Sequence, residues 1–458
     1  MTVSLPRSTP SATSIDAEGV LDLLDALDAA DGVELHGLVI VHHAQVIAEG
    51  WWAPYTPERL HLFYSLSKSF ASTAVGLAAA EGLLDLDDTV LSFFPELDAE
   101  VTDPRSRSIR LRDVLAMASG HRAETIDRAR EVDPVDMVRG FLLTPPEEEP
   151  GSLFAYNQPC TFAAAAVVQR VSGGSLLEYL RPRLLDPLGI GEVAWIRDDS
   201  GREIGYSGLH ATTEDAAKLG LLYLQEGRWN GEQLLSAEWV AEASTAHVTT
   251  AEAGGPDWQQ GYGFQFWRSL HGYRADGAYG QFSLILPEHD LVVAITGQTS
   301  DTETLLSSVW EHLLPAVGRP STADADARLS ERLGSLALPA LEGLAESPEP
   351  GRYSPADDSQ IASITAVEVS GGDSWTISLI ESDERLVLAP GSGEWVTRDA
   401  HSASAGRAAD GSLLVDVIFV ETPHRLHVRV SPETGTFAAR WQTGPLHVDS
   451  LATVRAPR

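Results

Sequence analysis

Residues 61–70 read HLFYSLSKSF and contain the four-residue motif Ser-x-x-Lys at 65–68, a tetrad whose two defining residues are Ser65 and Lys68. An apolar, alanine-rich segment follows at 70–80, and we predict that it forms a helix that stops at Gly82. If this helix begins near Ser65, the two tetrad residues lie three positions apart and share one face. The Ser65 hydroxyl then lies at a helix N-terminus, where free N–H groups and the helix dipole favour a developing negative charge.

A serine hydroxyl needs a base before it can act as a nucleophile, and a desolvated lysine with a lowered pKa can be that base. The chain has 32 lysines and arginines, of which only Lys68 and Lys218 are lysine. Because arginine cannot lose its proton in proteins, a lysine at position 68 indicates a need for a deprotonatable amine. The tetrad also occurs at ordinary helix starts, so this interpretation depends on further motifs.

The bulk properties limit the classes of function. The 458 residues carry a net charge of −34, which argues against nucleic acid or an anionic membrane surface as a partner. The single cysteine, Cys160, rules out an internal disulfide and fits a reducing compartment. The sequence shows no secretory signal pattern and no apolar run long enough to cross a bilayer. We therefore expect a soluble, cytoplasmic protein.

Composition changes along the chain predict its organisation. We expect a disordered N-terminus at 1–15, a main domain at 16–317, a linker at 318–351 and an all-β domain, either barrel or sandwich, at 352–458. Within the main domain, a second alanine-rich helix is predicted from about 159 to 171, and 261–267 is predicted as a strand.

Three motifs give the chain a family resemblance. Residues 35–317 resemble the serine β-lactamase and penicillin-binding-protein superfamily, and most of all its class C-like esterases and amidases, which include the 6-aminohexanoate-dimer hydrolases. The matching stretches are FYSLSKSF at 63–70, FAYNQ at 154–158 and GAYGQF at 277–282. The resemblance implies an α/β (α+β) fold, in which an antiparallel sheet is flanked by helices and accompanied by an all-helical subdomain.

The resemblance also implies roles for individual residues. Ser65 would be the acylated nucleophile, Lys68 its proton partner, and Tyr156 the tyrosine that shares the acid and base work. The division of that work between Lys68 and Tyr156 stays open. The backbone N–H of Gln281 would form the oxyanion hole together with that of Ser65. Tyr279 would line the acyl pocket, although a packed tyrosine at a strand edge is an equal alternative.

Two positions depart from the family pattern. Gln158 stands where the Tyr-x-Asn motif has asparagine, and it can still hold Lys68 or a substrate amide. Ala278, Tyr279 and Gly280 stand where the third motif usually reads Lys-Thr-Gly or His-x-Gly. Without a cation at Ala278 to hold a substrate carboxylate, a true β-lactamase or peptidoglycan enzyme is disfavoured.

These observations predict a serine hydrolase that cleaves a small ester or amide through an acyl-Ser65 intermediate. His121 is a further candidate for substrate contact, and no metal or organic cofactor is implied. One rival is a penicillin-binding-protein-type acyltransferase, peptide cyclase or D-amino-acid peptidase, acting on a short peptide. The other is an inactive binding protein of the same fold. The sequence does not predict the oligomeric state.

Overall fold

The structure is a computed structural model that describes residues 3–344, 346–372, 374–382, 384–446 and 450–458. The helices are α1 (Ala17–Ala29), α2 (Ser67–Ala80), α3 (Pro104–Ser108), α4 (Leu111–Leu115), α5 (Ile126–Val132), α6 (Met137–Leu142), α7 (Gln158–Ser172), α8 (Leu176–Leu180), α9 (Thr213–Leu224), α10 (Ala237–Ser244), α11 (Thr302–Ser308) and α12 (Ala323–Gly334). The strands up to residue 300 are β1 (Glu34–His42), β2 (Gln45–Trp51), β3 (His61–Leu62), β4 (Ala194–Trp195), β5 (Leu209–Ala211), β6 (Arg228–Trp229), β7 (Glu232–Gln233), β8 (Trp267–Arg268), β9 (Tyr273–Gly277), β10 (Gln281–Leu286) and β11 (Leu291–Gln298). The later strands are β12 (Gly351–Pro355), β13 (Ile364–Ser370), β14 (Thr376–Glu381), β15 (Glu384–Leu388), β16 (Val396–Arg398), β17 (His401–Arg407), β18 (Leu413–Phe419), β19 (Arg425–Ser431) and β20 (Thr436–Trp441).

A six-stranded antiparallel sheet with the order β2-β1-β11-β10-β9-β8 organises the first part of the chain. Its central strands are buried on both faces. Because successive side chains of a strand point to opposite sides, each of these strands contributes to two cores. In β1, Val39 and Val41 face a core that contains α2 and α7, whereas Leu38 and Ile40 face a core that contains α1. The sheet is therefore sandwiched between two helical layers.

Helix α2 lies in the larger core and begins two residues after Ser65. A short 3-10 turn at Tyr64–Leu66 precedes it, and it ends before Gly82, which has a φ of 71°. Its alanines and serines let neighbouring segments approach the helix closely, so that almost the whole helix is buried. The predicted helix over 70–80 therefore lies within α2, and α7 includes the predicted helix over 159–171.

The C-terminal part is a nine-stranded sheet with the order β15-β14-β13-β12-β20-β19-β18-β17-β16. All neighbouring pairs are antiparallel except β12 with β20, so the sheet is mixed. It curls around its own apolar core into a nearly closed barrel. Together with the helix-flanked antiparallel sheet, this barrel confirms the predicted fold class.

The predicted strand over 261–267 is wrong for most of its length, because β8 includes only Trp267 of that segment. The backbone instead bonds to helix side chains: the carbonyl oxygens of Phe264 and Gln265 accept from Ser72 and Ser69 of α2. Gln265 also has a left-handed φ of 66°, which is incompatible with a regular strand.

The predicted domain bounds stay predictions, but the structure adds contacts to two of the expected segments. In the N-terminal segment, where we expected disorder, the Leu5 N–H donates to Glu214 at 2.7 Å, and Arg7 forms ion pairs with Glu49 and Glu214. Helix α12, which lies within the expected linker, packs against α1 and β2. Composition alone did not predict these long-range contacts.

Among the described residues, no single helix is long and apolar enough to span a membrane, although Gln158–Ser172 with Leu176–Leu185 passes the length and composition test as a pair bent by 66°.

Gly76 tests the close packing of α2. A Cβ atom at this position would lie 2.4 Å from the ring of Trp239. We expect Gly76→Ala to reduce the free energy of unfolding by about 1 to 3 kcal/mol through overpacking, measured by denaturant titration. Gly334→Ala is the control, because a Cβ there meets nothing within 4 Å. Equal stability of the two variants would contradict this account of the packing.

Candidate active site

Lys68 lies at the centre of the polar contacts around Ser65. Its Nζ donates to Ser65 Oγ at 3.0 Å, to Gln158 Oε1 at 2.6 Å and to the carbonyl oxygen of Tyr206 at 2.7 Å. The lysine is only 1% exposed, while Ser65 is partly open to solvent. The buried amine is therefore held by neutral acceptors next to an accessible hydroxyl.

The surroundings of Lys68 favour its neutral form. Burial lowers the pKa of Lys68 to about 7, and the more distant charges of Glu124 and Asp276 offset only part of this effect. Glu124 accepts the backbone N–H groups of residues 125, 126 and 158, and Asp276 pairs with Arg274 at 2.9 Å. Near neutral pH a substantial fraction of Lys68 is thus a free amine.

The turn that carries Ser65 is fixed from two sides. On one side, β3 pairs with β5, and the Leu209 N–H donates to Ser67 Oγ at 3.0 Å. On the other side, Gly277 at the end of β9 abuts the turn so closely that a Cβ there would lie 2.2 Å from the carbonyl oxygen of Phe63. These contacts place the turn beside the loop that joins β9 to β10.

Tyr156 lies against both members of the tetrad. Lys68 Nζ is 4.8 Å from the centre of its ring, and Trp267 stacks on that ring with a centroid separation of 5.8 Å. Burial raises the pKa of Tyr156 above its ordinary value, and the nearby Ser65 side chain offsets part of the shift. At neutral pH Tyr156 is therefore a phenol and not a phenolate.

Gln158 is the first residue of α7, and its amide oxygen reaches Lys68 Nζ, as described above. Asn157, the middle residue of the motif, points elsewhere: its Oδ1 accepts from the N–H and the hydroxyl of Thr125. The glutamine thus provides an acceptor for Lys68 even though it replaces the asparagine of the family pattern.

Ala278, Tyr279 and Gly280 form the loop between β9 and β10, and Gln281 begins β10. The Gln281 side chain is buried and donates to the carbonyl oxygens of Ala278 and Gly297, so only its backbone is a candidate for contact with substrate. The Tyr279 hydroxyl donates to the Gly444 carbonyl oxygen at 2.7 Å and so is directed towards the C-terminal part.

The polar contacts of His121 lie apart from this site. Its ring nitrogens contact the Ser119 hydroxyl at 2.9 Å and the Thr144 carbonyl oxygen at 2.8 Å, and its ring packs near Phe141. Burial also lowers the pKa of His121, which favours a neutral ring. The structure gives His121 packing contacts rather than contacts with the tetrad.

Sequence reasoning missed Tyr206 and Trp267 as members of the site. Tyr206 contributes a backbone carbonyl oxygen, which leaves no signal in the side-chain pattern. Trp267 ends a stretch rich in glycine and aromatic residues, which is a sequence feature that could have marked it as a candidate. Its contact with Tyr156, however, depends on tertiary structure.

A cavity of about 270 Å³ adjoins the site and shares Tyr64 and Tyr206 with it. Apolar side chains of Leu62, Met137 and Phe162 contribute to its lining. Its size suits a small acyl or leaving group. Within the described ranges, no group of three His, Cys, Asp or Glu side chains is arranged to hold a metal ion.

Comparisons with known proteins agree with this geometry. A family model described as beta-lactamase matches residues 22–316. The 6-aminohexanoate-dimer hydrolase of Paenarthrobacter ureafaciens is 26% identical over 289 residues, which cover 58% of this chain and 73% of that protein. The lovastatin esterase of Penicillium rubens is 31% identical over 148 residues, which cover 28% of this chain and 37% of that protein. The octameric penicillin-binding protein homologue from Pyrococcus abyssi, at 18% identity and a TM-score of 0.50, covers 89% of this chain and 96% of its own, and shows a shared fold.

The acceptor at position 158 provides a test of the Lys68 environment. Gln158→Glu places a negative charge beside Lys68 Nζ, so we expect the pKa of Lys68 to rise by on the order of one unit or more. The rate of Ser65 labelling by a fluorophosphonate should increase with pH through about 7 in the wild type, following the loss of the Lys68 proton, and should do so at higher pH in the variant.

Gln360→Glu, the same change at an exposed position of the C-terminal sheet region, is the control and should leave the pH dependence unchanged. Superimposable pH profiles for wild type and Gln158→Glu would rule out Lys68 as the group that controls Ser65 reactivity.

Proposed function

Because the chain belongs to the beta-lactamase family and is a serine hydrolase, we propose that it cleaves a small ester or amide through an acyl intermediate on Ser65. Lys68 acts as the base and Tyr156 as the proton donor. The supporting observation is the arrangement of acceptors around Lys68 Nζ. Each step uses groups that lie within the contacts described above.

The neutral amine of Lys68 has two N–H donors and one lone pair. Gln158 Oε1 and the carbonyl oxygen of Tyr206 accept the two N–H groups, which leaves the lone pair facing Ser65 Oγ at 3.0 Å. Lys68 then takes the hydroxyl proton as Ser65 Oγ attacks the carbonyl carbon of the substrate. This geometry favours Lys68 as the acylation base, and the raised pKa of Tyr156 disfavours a phenolate in that role.

Two backbone N–H groups stabilise the negative charge that forms on the substrate oxygen. Ser65 is near the start of its 3-10 turn, where N–H groups lack an acceptor within the turn. Gln281 begins the strand beside that turn and contributes the second N–H. Both donors belong to fixed backbone, so little reorganisation is required during the reaction.

Collapse of the intermediate breaks the bond to the leaving oxygen or nitrogen. The Tyr156 phenol gives its proton to that atom and regains a proton from the Lys68 ammonium, so the alcohol or amine leaves neutral. Water then attacks the acyl carbon and gives a proton to Lys68. As the acid product leaves, Lys68 returns that proton to Ser65 Oγ, which restores the hydroxyl.

The proposed substrate class follows from the cavity and from the third motif. The cavity of about 270 Å³ has a mixed lining, in which apolar side chains alternate with Arg130, Arg197, Asp198 and Asp199, and its volume suits a small acyl or leaving group. Ala278 has no charge with which to hold a substrate carboxylate. One similar enzyme is named for an amide substrate and the other for an ester, which supports a site that accepts either bond.

Acyl transfer to an amine is the second candidate reaction. The contact between the Tyr279 hydroxyl and Gly444 favours it, because the C-terminal part reaches the site and adds surface for a second substrate. If transfer occurs, an added amine should divert product from the acid to the amide at constant consumption of ester. Acid alone, over a range of amine concentrations, would leave hydrolysis as the reaction.

Ser65→Ala tests the acyl-enzyme. We expect wild type to gain one fluorophosphonate adduct in intact-mass spectrometry and to hydrolyse p-nitrophenyl acetate, and we expect the variant to do neither. Ser69→Ala is the matched control, since the Ser69 hydroxyl donates to the Gln265 carbonyl oxygen and should not be needed for labelling. No adduct and no turnover in folded wild type would support an inactive binding protein instead.

Tyr156→Phe tests the proton donor. Removal of the phenol hydroxyl should lower kcat by about 10²–10⁴-fold, the usual range for a lost general acid. Tyr179→Phe is the control, because its hydroxyl contacts Glu81 near the opposite end of α2. Turnover of Tyr156→Phe at the wild-type rate would remove Tyr156 from the mechanism.

A further inference from the structure

The residue before the nucleophile is bound by the C-terminal barrel. The Tyr64 hydroxyl donates to Nε2 of His424 at 2.6 Å, and both side chains are buried. His424 lies in the turn between β18 and β19, and its Nδ1 donates to the Thr443 carbonyl oxygen at 3.0 Å. That second bond places the ring proton on Nδ1 and leaves the lone pair of Nε2 facing Tyr64.

Tyr64 needs such support because its backbone is in the left-handed region, with a φ of 48°. This conformation is unfavourable for a residue with a large side chain and persists only where the surroundings hold it. Ser65 follows directly, so the backbone angles of Tyr64 set the direction of both the Ser65 hydroxyl and its N–H.

The same part of the barrel contacts the site at other points. The Tyr279 ring packs edge-on against Tyr64, with ring centres 5.3 Å apart, and against His424 at 5.5 Å. The Leu62 N–H, just before the Ser65 turn, donates to the Glu421 carbonyl oxygen at 2.9 Å. The barrel therefore contacts both the segment that leads into the Ser65 turn and the loop between β9 and β10, which lies beside that turn.

We infer that the C-terminal barrel positions the nucleophile, and that His424 is the positioning residue, acting through the Tyr64 hydroxyl on the backbone before Ser65. This inference rests on the proposed function. His424 is an acceptor here and takes no part in proton transfer, in keeping with burial, which lowers the pKa of His424 to about 4. The barrel would thus be part of the catalytic unit.

The test is a double-mutant cycle on hydrolysis of p-nitrophenyl acetate. We expect Tyr64→Phe and His424→Ala each to lower kcat by about 10- to 100-fold, with KM changed less than threefold, because misdirection of Ser65 affects the chemical step. The double variant should be no slower than the slower single variant, since both changes remove one interaction. His424→Gln, which restores an acceptor, should recover most of kcat.

His401→Ala is the control for general damage to the barrel. His401 is also buried, and its ring centre lies 5.1 Å from that of Phe419, so we expect His401→Ala to destabilise the barrel to a similar extent. Because His401 does not contact Tyr64, kcat should stay unchanged. Thermal melting of every variant separates stability from rate. If His424→Ala does not fold, Tyr64→Phe still decides the question, because it removes only a hydroxyl group.

The inference would be overturned if folded Tyr64→Phe had the kcat of the wild type, or if the losses of the two single variants multiplied in the double variant. The proposed function would still stand in either case, because it depends only on turnover by the wild-type protein. Failure of the proposed function appears differently, as a wild-type protein without a fluorophosphonate adduct and without turnover.

Discussion

The site depends on a buried lysine, Lys68, which forms no ion pair with any residue that the structure describes. Removing an ammonium from water is unfavourable, so Lys68 loses much of its preference for the charged form. A carboxylate in contact would restore that preference and abolish the free amine. The acceptors around Nζ are instead uncharged: the Ser65 hydroxyl, the Gln158 amide oxygen and the carbonyl oxygen of Tyr206. In a chain with a net charge of −34, keeping carboxylates out of contact is a considerable constraint.

The two nearest acids show how this constraint is met. Glu124 accepts backbone N–H groups at the start of α7, and Asp276 is paired with the fully buried Arg274. Each carboxylate thus has a local partner, and each raises the pKa of Lys68 only through space. Glu124 lies just before α5 and Asp276 lies in β9, so the electrostatics of the site depend on segments that are far apart in the sequence.

Local sequence signals predicted the elements that carry the motifs, whereas contacts distant in sequence escaped prediction. The alanine-rich patterns of α2 and α7 each lie within one short segment of sequence, and the three motifs identified the family. The carbonyl oxygen of Tyr206 has no side-chain identity to detect. His424 lies 360 positions from Tyr64, and nothing in the local sequence of either residue indicates their hydrogen bond.

The left-handed backbone of Tyr64, directly before Ser65, has a further consequence for the fold. The helix that follows cannot by itself select that conformation, because it is less favourable than the ordinary one for tyrosine. Contacts from outside the helix must supply the difference, and one of them is the hydrogen bond from the Tyr64 hydroxyl to His424, whose ring is itself bonded to the Thr443 carbonyl oxygen. The ion pair of Arg425 with Glu34, at 2.9 Å, links the residue directly after His424 to the first residue of β1 in the central sheet. Strain at Tyr64 and the attachment of the barrel are thus two parts of one arrangement, in which the turn that carries Ser65 is held by a residue more than 300 positions away in the chain.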